Sequence, residues 1–239
     1  MTFALSMHRF HCPPLDTTTV VLPEEEAHHA VHVLRLRAGD RVGLLNGRGV
    51  SAIGELVTVN KREVLAQVLE RTEHPRERSA TIHLAVAPTK QMDRYEWFVE
   101  KAVEIGVDRI TPVLTARTER QKLRTDRLER VAISAMKQSQ RTWLPKIDAP
   151  IELERLLQEE SPAQRLFGWC EGEHRPLMNA YTPTSDVLVL IGPEGDFTAD
   201  EADLLRRHGA TAVSLGAARL RTETAALAAC TWMSLAQQR

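Results

Sequence analysis

The sequence lacks the features that mark several large classes of protein. Cysteine is scarce, and Cys12, Cys170 and Cys230 are far apart and form no C-x-x-C pair. They therefore favour neither a disulfide framework nor a cysteine zinc site. No apolar run reaches the roughly eighteen residues that a membrane helix needs, and the first residues do not follow the charged-then-apolar order of a signal peptide. We therefore expect a cytoplasmic protein without a membrane partner.

Two common signatures of nucleotide-binding enzymes are missing as well. The chain contains no G-x-x-x-x-G-K-[ST] motif, and Gly47, Gly49 and Gly54 do not have the spacing of G-x-G-x-x-G. An ATPase or a nicotinamide-dependent dehydrogenase is therefore disfavoured.

A histidine pair near the N-terminus raises the question of a metal site. His28 and His32 lie one helical turn apart, with Glu24 one turn earlier, and zinc enzymes use this spacing. However, the Glu that follows the first His in H-E-x-x-H is missing, and no remote ligand stands out. We interpret the pair as a polar helix face and expect no metal.

Charge is balanced over the whole chain but segregated along it. The 239 residues have a formal net charge of −1, and 26% of them are charged. Residues 117–146 nevertheless contain nine Lys or Arg against three Asp or Glu, whereas residues 147–205 contain three Arg against thirteen acids. The basic segment also carries Gln138, Gln140 and Trp143. Such a run fits either a solvated helix face or a surface that binds a polyanion.

The first part of the chain has the pattern of a small, mostly β unit. The acidic run Glu24–Glu26 opens one predicted helix over residues 24–34. The pair Asn46-Gly47 is a hairpin signal. The polar segment His74–Ser79 has no apolar face, so we expect domains over residues 1–73 and 81–239, joined by a linker over residues 74–80. The strands predicted in the first domain are Arg41–Asn46, Val50–Val59 and Glu63–Glu70.

Residues 81–239 alternate between strand and helix patterns, which predicts an α/β domain with a largely parallel sheet. The predicted strands are Ile82–Ala87, Arg109–Leu114, Phe167–Cys170, Val187–Ile191 and Val213–Leu215. The predicted helices are Asp93–Ile105 before Gly106, one from a Thr125 cap to Gln140, one from the capping box Thr198–Glu201 to Gly209, and one from Thr222 onward.

Two glycine-containing turns near the C-terminus, Ile191–Phe197 and Leu215–Leu227, are the most informative segments. Each follows an apolar strand and opens a helix. At that edge of an α/β sheet, glycines admit a ligand to the backbone and helix N-termini offer free N–H donors. The two turns are therefore predicted to form two sides of one pocket.

Arg221 stands out within the second turn. It lies beside a predicted helix N-terminus, where a cation is electrostatically unfavourable. The helix itself explains Thr222, which would cap it, and Glu223, which would interact favourably with its dipole. It does not explain the arginine, and we interpret Arg221 as a residue that requires an anionic partner.

Together these residues resemble the bacterial 16S ribosomal RNA uracil-N3 methyltransferases of the small subunit methyltransferase E type, within the SPOUT superfamily. The resemblance covers nearly the whole chain in the right order, and the paired C-terminal turns are its most specific part. One departure is Asp196, which stands where many members have a second glycine after Pro-Glu-Gly. The other matching residues are His29, His32-Val33-Leu34-Arg35, Gly39-Asp40, Lys90, Glu96, Lys101, Glu104-Ile105-Gly106, Thr111-Pro112, Arg117, Gln138 and Arg141.

The resemblance implies a fold and an activity that spacing alone does not show. The C-terminal domain is expected to be a SPOUT-type parallel sheet with a deep trefoil knot that binds S-adenosylmethionine. The N-terminal domain is expected to be a PUA-like RNA-binding β-barrel, and the assembly a homodimer. Without the resemblance, the expectation is an unknotted sheet, because true knots are rare. The implied reaction is methylation of N3 of one uridine in 16S rRNA of the small ribosomal subunit.

The resemblance and the chemistry of uracil together suggest roles for individual residues. Arg221 is the first candidate to stabilise negative charge on the uracil oxygens. Gln138 and Arg141 are candidate helpers from the other subunit, and Glu223 is a candidate proton acceptor. Cofactor contacts are expected from backbone groups of Leu190, Ile191, Gly192, Pro193, Glu194, Gly195, Leu215, Gly216, Leu220 and Thr222. RNA contacts are expected from Arg9, His29, Arg35, Lys90, Arg117 and Arg141.

Two alternatives stay open from the sequence. Another SPOUT methyltransferase, acting on a ribose 2′-hydroxyl or on a tRNA base, would share these motifs. A non-catalytic RNA-binding module would use the β-rich domain and keep the C-terminal turns only as structure.

Overall fold

The computed structural model describes residues 7–60 and 62–238 and divides the chain into two compact units. The first unit takes the residues up to Glu77 together with Ile133–Leu144. The second takes Arg78–Ala132 and the residues from Pro145 on. The boundary at Glu77 lies inside the predicted linker, whereas the inclusion of Ile133–Leu144 in the first unit has no counterpart in the sequence pattern.

The first unit is built on one five-stranded sheet. Its strands are β1 (Arg9–His11), β2 (Thr19–Val21), β3 (Arg41–Leu45), β4 (Val50–Val59) and β5 (Val64–Glu73). They lie in the order β1-β3-β4-β5-β2, and all neighbours are antiparallel except β1 and β3. The β4–β5 pairing shifts register between Ile53 and Gly54 and between Leu56 and Thr58, as β-bulges do when they bend a long hairpin. The predicted hairpin strands are therefore confirmed.

The helix of the first unit changes geometry along its length. Helix α1 (Glu24–His28) continues as a π-helical turn over His29–Val33. This places the exposed rings of His28 and His32 4.6 Å apart, centroid to centroid. Within residues 7–60 and 62–238, no cluster of three His, Cys, Asp or Glu side chains could hold a metal ion.

Residues 133–144 belong to the first unit because their side chains are bound there. The Lys137 ammonium lies 2.6 Å from the Glu26 carboxylate, and both side chains are largely buried. Trp143 donates from Nε1 to the carbonyl of His74 at 3.2 Å. Its ring also covers Gly49, which has φ +85°, so that a side chain at Gly49 would overlap the ring.

The second unit contains an eight-stranded sheet in which every pairing is parallel. Its strands are β6 (Ile82–Val86), β7 (Arg109–Leu114), β8 (Lys146–Ile147), β9 (Ile151–Glu152), β10 (Gln164–Gly168), β11 (Arg175–Pro176), β12 (Val187–Ile191) and β13 (Thr211–Ser214). The order is β11-β13-β10-β12-β6-β7-β8, and β9 also pairs with β7. Strands β6 and β12 are buried along their whole length, as expected for the centre of a parallel sheet.

Helices connect these strands. They are α2 (Met92–Ile105), α3 (Thr125–Ser139), α4 (Leu153–Glu159), α5 (Leu177–Ala180), α6 (Ala199–Arg207) and α7 (Thr222–Ala236). Gly106 ends α2 with φ +103°, and the Thr198–Glu201 capping box opens α6, as predicted. In the described part of the chain, no helix is both long and apolar enough to cross a bilayer.

Some boundaries differ from the sequence-based predictions. Strand β10 begins at Gln164 rather than Phe167, because the Gln164 amide donates to the carbonyls of Thr182 and Ser185 and so a polar residue fits the strand. Thr125 is the first residue of α3 rather than its cap. The very short strands and helices were not predicted, because two to four residues show no periodicity.

Candidate active site

A cavity of about 1110 Å³ lies at the carboxyl edge of the second unit's sheet. Three segments wall it: residues 168–174 after β10, residues 191–196 after β12, and residues 213–222 after β13. Arg117 and Ala225 complete the lining. These three strands are neighbours in the sheet, and ligands of open α/β sheets bind beyond the carboxyl ends of the strands. The two predicted turns do form two walls of one pocket.

A buried hydrogen bond joins the two predicted walls. The Thr222 hydroxyl donates to the Gly192 carbonyl at 3.1 Å, and only 4% of Thr222 is exposed. The position of Thr222 in the sequence suggested that it caps α7. In the structure its hydroxyl bonds to Gly192 instead, and Thr222 is not the cap. Arg221 occupies the cap position with extended backbone angles and makes no capping bond with its side chain.

The turn after β12 is compact. A Cβ at Gly192 would lie 3.1 Å from the backbone nitrogen of Phe197, so this position favours glycine. The Asp196 N–H donates to the Pro193 carbonyl at 2.9 Å and closes the turn. Arg117, which is not part of this turn, donates to the carbonyls of Gly195 and Phe197.

The segment after β13 presents an open glycine position and two exposed cations. Gly216 has φ +126°, and nothing lies within 4 Å of the place where a Cβ would stand. Arg219 and Arg221 are exposed. Across residues 7–60 and 62–238, no carboxylate forms an ion pair with either of them. The interpretation of Arg221 as a cation that needs an anionic partner is consistent with this position.

The cavity lining carries both signs of charge. The guanidinium groups belong to Arg117, Arg219 and Arg221, and the carboxylates belong to Glu171, Glu173, Glu194 and Asp196. A site of this kind suits a ligand with a cationic centre together with an anionic one.

Most of the residues predicted to contact a cofactor meet at the cavity. Ile191, Gly192, Pro193, Glu194, Gly195, Leu215, Gly216, Leu220 and Thr222 all line it. Leu190 does not, because its side chain is fully buried in the core cluster that contains Phe167 and Leu188.

The predicted catalytic residues lie in different places. Arg221 lines the cavity, whereas Glu223 is only 7% exposed in the first turn of α7 and is not among the lining residues. Gln138 and Arg141 belong to the first unit. There Gln138 is exposed, and Arg141 lies 3.4 Å from the Glu77 carboxylate. The roles of Glu223, Gln138 and Arg141 stay predictions.

The predicted RNA-binding residues are divided between the two units. In the first unit, Arg9 donates to Gln140 at 2.9 Å, His29 packs edge-on against Phe10, and Arg35 is exposed with φ +56°. Arg141 is also part of that unit. In the second unit, the exposed Lys90 pairs with Glu119 at 3.0 Å, and Arg117 lines the cavity.

Sequence reasoning missed the wall formed by residues 168–174. Cys170, Glu171 and Glu173 are exposed there, Gly172 has φ +84°, and the His174 ring bonds to the Glu171 carbonyl at 2.6 Å. The available signal was a glycine shortly after an apolar strand, which the other two walls also have, and here it lies between two acidic residues.

Comparison with known proteins defines the class. Residues 76–234 match the model of an RNA methyltransferase domain, and residues 22–69 match that of an RNA methyltransferase PUA domain. The chain is therefore an RNA methyltransferase with an N-terminal PUA domain. The ribosomal RNA small subunit methyltransferase E of Rickettsia conorii is 30% identical over 209 residues, which cover 86% of this chain and 85% of that protein. The chain belongs to the ribosomal RNA small subunit methyltransferase E family.

Two solved structures are similar over almost the whole length. A probable rRNA-methyltransferase from Porphyromonas gingivalis is 37% identical with a TM-score of 0.88, covering 97% of this chain and 98% of that one. A ribosomal RNA small subunit methyltransferase E from Neisseria gonorrhoeae, bound to S-adenosyl methionine, is 30% identical with a TM-score of 0.87, covering 96% and 98%. The predicted family, parallel α/β sheet and PUA domain are confirmed.

Proposed function

We propose that this chain transfers a methyl group from S-adenosylmethionine to N3 of one uridine in the 16S rRNA of the small ribosomal subunit. The observation that carries the proposal is the cavity at the ends of β10, β12 and β13, in a chain of the small subunit methyltransferase E family. The similar protein from Neisseria gonorrhoeae is bound to S-adenosyl methionine.

The residues present fit this cofactor. The volume of about 1110 Å³ slightly exceeds the range of about 300–1,000 Å³ typical of pockets for drug-sized ligands, which leaves space for part of a nucleotide. The backbone of Ile191–Gly195 and Leu215–Thr222 would hold the cofactor, and the carboxylates of Glu171, Glu173 and Glu194 would complement its positive sulfonium. When bound, S-adenosylmethionine supplies an already activated methyl group.

The chain's own task is then to position the base and to manage one proton. Uracil N3–H is a weakly acidic imide between two carbonyls, so its loss places negative charge on O2 and O4. Arg221 lies on the cavity wall without a carboxylate partner in the described residues, so its guanidinium is available to that charge. In this proposal Glu223 accepts the proton.

We further propose a cytoplasmic homodimer in which the partner subunit supplies Gln138 and Arg141. Large apolar side chains are exposed on two helices that pack together, α2 and α7, where Trp97 is 46% and Leu235 is 55% exposed. A second copy covering these side chains would remove them from water. Light scattering after gel filtration should give twice the chain mass, and Leu235→Glu should shift the protein toward the monomer.

The role of Arg221 is tested by methyl-transfer kinetics on small subunits purified from a strain that lacks this protein. We expect Arg221→Ala to lower kcat by about 10²–10³, the usual effect of removing one oxyanion donor. Arg155→Ala is the matched control, because Arg155 is an exposed arginine on α4 that pairs only with Glu159 among the described residues. An Arg221→Ala protein with the parent rate would exclude this residue from the mechanism.

A further inference from the structure

Asp196 has an unusual backbone conformation for its residue type. Its φ is +63°, in the left-handed region that non-glycine residues rarely adopt, although Asp and Asn tolerate it better than most. Glycine adopts this conformation without a steric penalty. An aspartate at this position therefore has a strained backbone, and the contacts of its side chain offset that strain.

The Asp196 carboxylate uses both of its oxygens. Oδ1 accepts from the N–H of Phe197 at 2.8 Å, which keeps the turn after β12 closed. Oδ2 accepts from the N–H of Cys170 at 3.0 Å, on the loop after β10. Partial burial, and then a hydrogen bond with the same carboxylate, raise the pKa of the Cys170 thiol. One side chain thus links two walls of the cavity.

The loop over residues 170–174 is anchored at its two ends by β10 and β11, which both pair with β13, but few contacts hold the residues between them. The His174–Glu171 bond is internal to the loop, and Glu171, Gly172 and Glu173 are exposed. Just before the loop, the Trp169 N–H donates to the Val213 carbonyl at a long 3.4 Å. Among the residues that the structure describes, the hydrogen bonds of Cys170 with the Asp196 carboxylate are the ones that join residues 170–174 to another wall of the cavity.

We infer that Asp196 is a positioning residue, which fastens the loop over residues 168–174 to the turn after β12 and so holds the third wall of the cofactor cavity in place. The inference rests on the proposed function, since it takes S-adenosylmethionine as the occupant. A loop that is already held does not have to be ordered by the ligand, so less conformational entropy is lost on binding. Asp196 therefore strengthens cofactor binding without touching the reacting atoms.

Three substitutions separate the carboxylate from the backbone. Asp196→Gly suits the positive φ but removes both acceptors, whereas Asp196→Ala removes both and keeps the unfavourable backbone. Asp196→Asn tolerates the conformation and keeps one acceptor oxygen. Asp200→Ala is the matched control, because it removes an exposed carboxylate from the first turn of α6 and leaves the loop unchanged.

The readouts are calorimetric titration with S-adenosylmethionine, steady-state kinetics, and amide hydrogen exchange of residues 170–174. We expect the dissociation constant to rise roughly tenfold in the Gly and Ala variants and less in the Asn variant. Amide exchange at Cys170 should become faster in the same order. The KM for the cofactor should rise while kcat stays within about twofold, because the reacting atoms are not affected.

The outcomes distinguish this inference from the proposed function. Parent-like affinity and parent-like exchange in both the Gly and Ala variants would overturn the role of Asp196. A parent protein that does not bind S-adenosylmethionine would overturn the proposed function and, with it, the role of Asp196 in cofactor binding. Because Asp196→Gly relieves the backbone, its melting temperature should not fall below that of Asp196→Ala, which separates a weakened site from a misfolded protein.

Discussion

Thr222→Val tests the bond that joins the two predicted walls. Valine keeps the shape of threonine but cannot donate to the Gly192 carbonyl, which now accepts the hydroxyl at 3.1 Å. Since Thr222 is only 4% exposed, water cannot readily replace the lost donor. An unpaired buried carbonyl costs about 1–3 kcal/mol.

This cost predicts a measurable shift in stability and in cofactor binding. In a protein of about this size, each kcal/mol lowers the melting temperature by roughly 2–4 °C, so Thr222→Val should melt roughly 2–12 °C below the parent. Calorimetric titration should also show weaker binding of S-adenosylmethionine, because the two walls are no longer joined. Thr222→Ser keeps the hydroxyl and should bind the cofactor nearly as the parent does. If the valine variant melts and binds like the parent, the hydroxyl does not hold the walls together.

Three further predictions concern stability. Burial, and then the charge of Arg109, lower the pKa of His83 to about 3 from its ordinary 6.5, so unfolding takes up a proton. Urea midpoints should therefore fall as the pH decreases from about 6.5 toward 3, and His83→Gln should lack this part of the decrease. Lys137→Met leaves the Glu26 carboxylate buried without its cation and should cost about 3–5 kcal/mol in urea unfolding, and adding Glu26→Gln should recover most of it. Gly49→Ala places a methyl group where the Trp143 ring lies, so scanning calorimetry should show a lower melting temperature. An unchanged melting temperature would contradict this packing.

The predictable parts of the fold are those with local causes. Gly106 ends α2 through its positive φ, and the Thr198–Glu201 capping box is complete within four residues. Strand β12 is an uninterrupted apolar run. By contrast, the place of Ile133–Leu144 in the first unit depends on the pairing of Lys137 with Glu26, which are far apart in sequence and carry no local signal.

The candidate site likewise has parts with a local sequence signal and parts that depend on tertiary contacts. The two glycine turns could be predicted because each combines a strand end with a helix start. The third wall has only a glycine after a strand as its local signal, and the contact of Asp196 with Cys170 that helps to hold it is a tertiary one. The predicted cofactor contact of Leu190 is one of backbone groups and stays a prediction, while its side chain packs into the core. The trefoil knot rests on the family resemblance alone.

The most direct test of the proposed activity is to identify the product nucleoside. Small subunits from a strain that lacks this protein would be incubated with the purified chain and S-adenosylmethionine, and their 16S rRNA digested for mass spectrometry. We expect 3-methyluridine at one position, formed by the parent protein and greatly reduced with Arg221→Ala. A 2′-O-methylated nucleoside, a methylated tRNA base or the absence of any methylated product would contradict it.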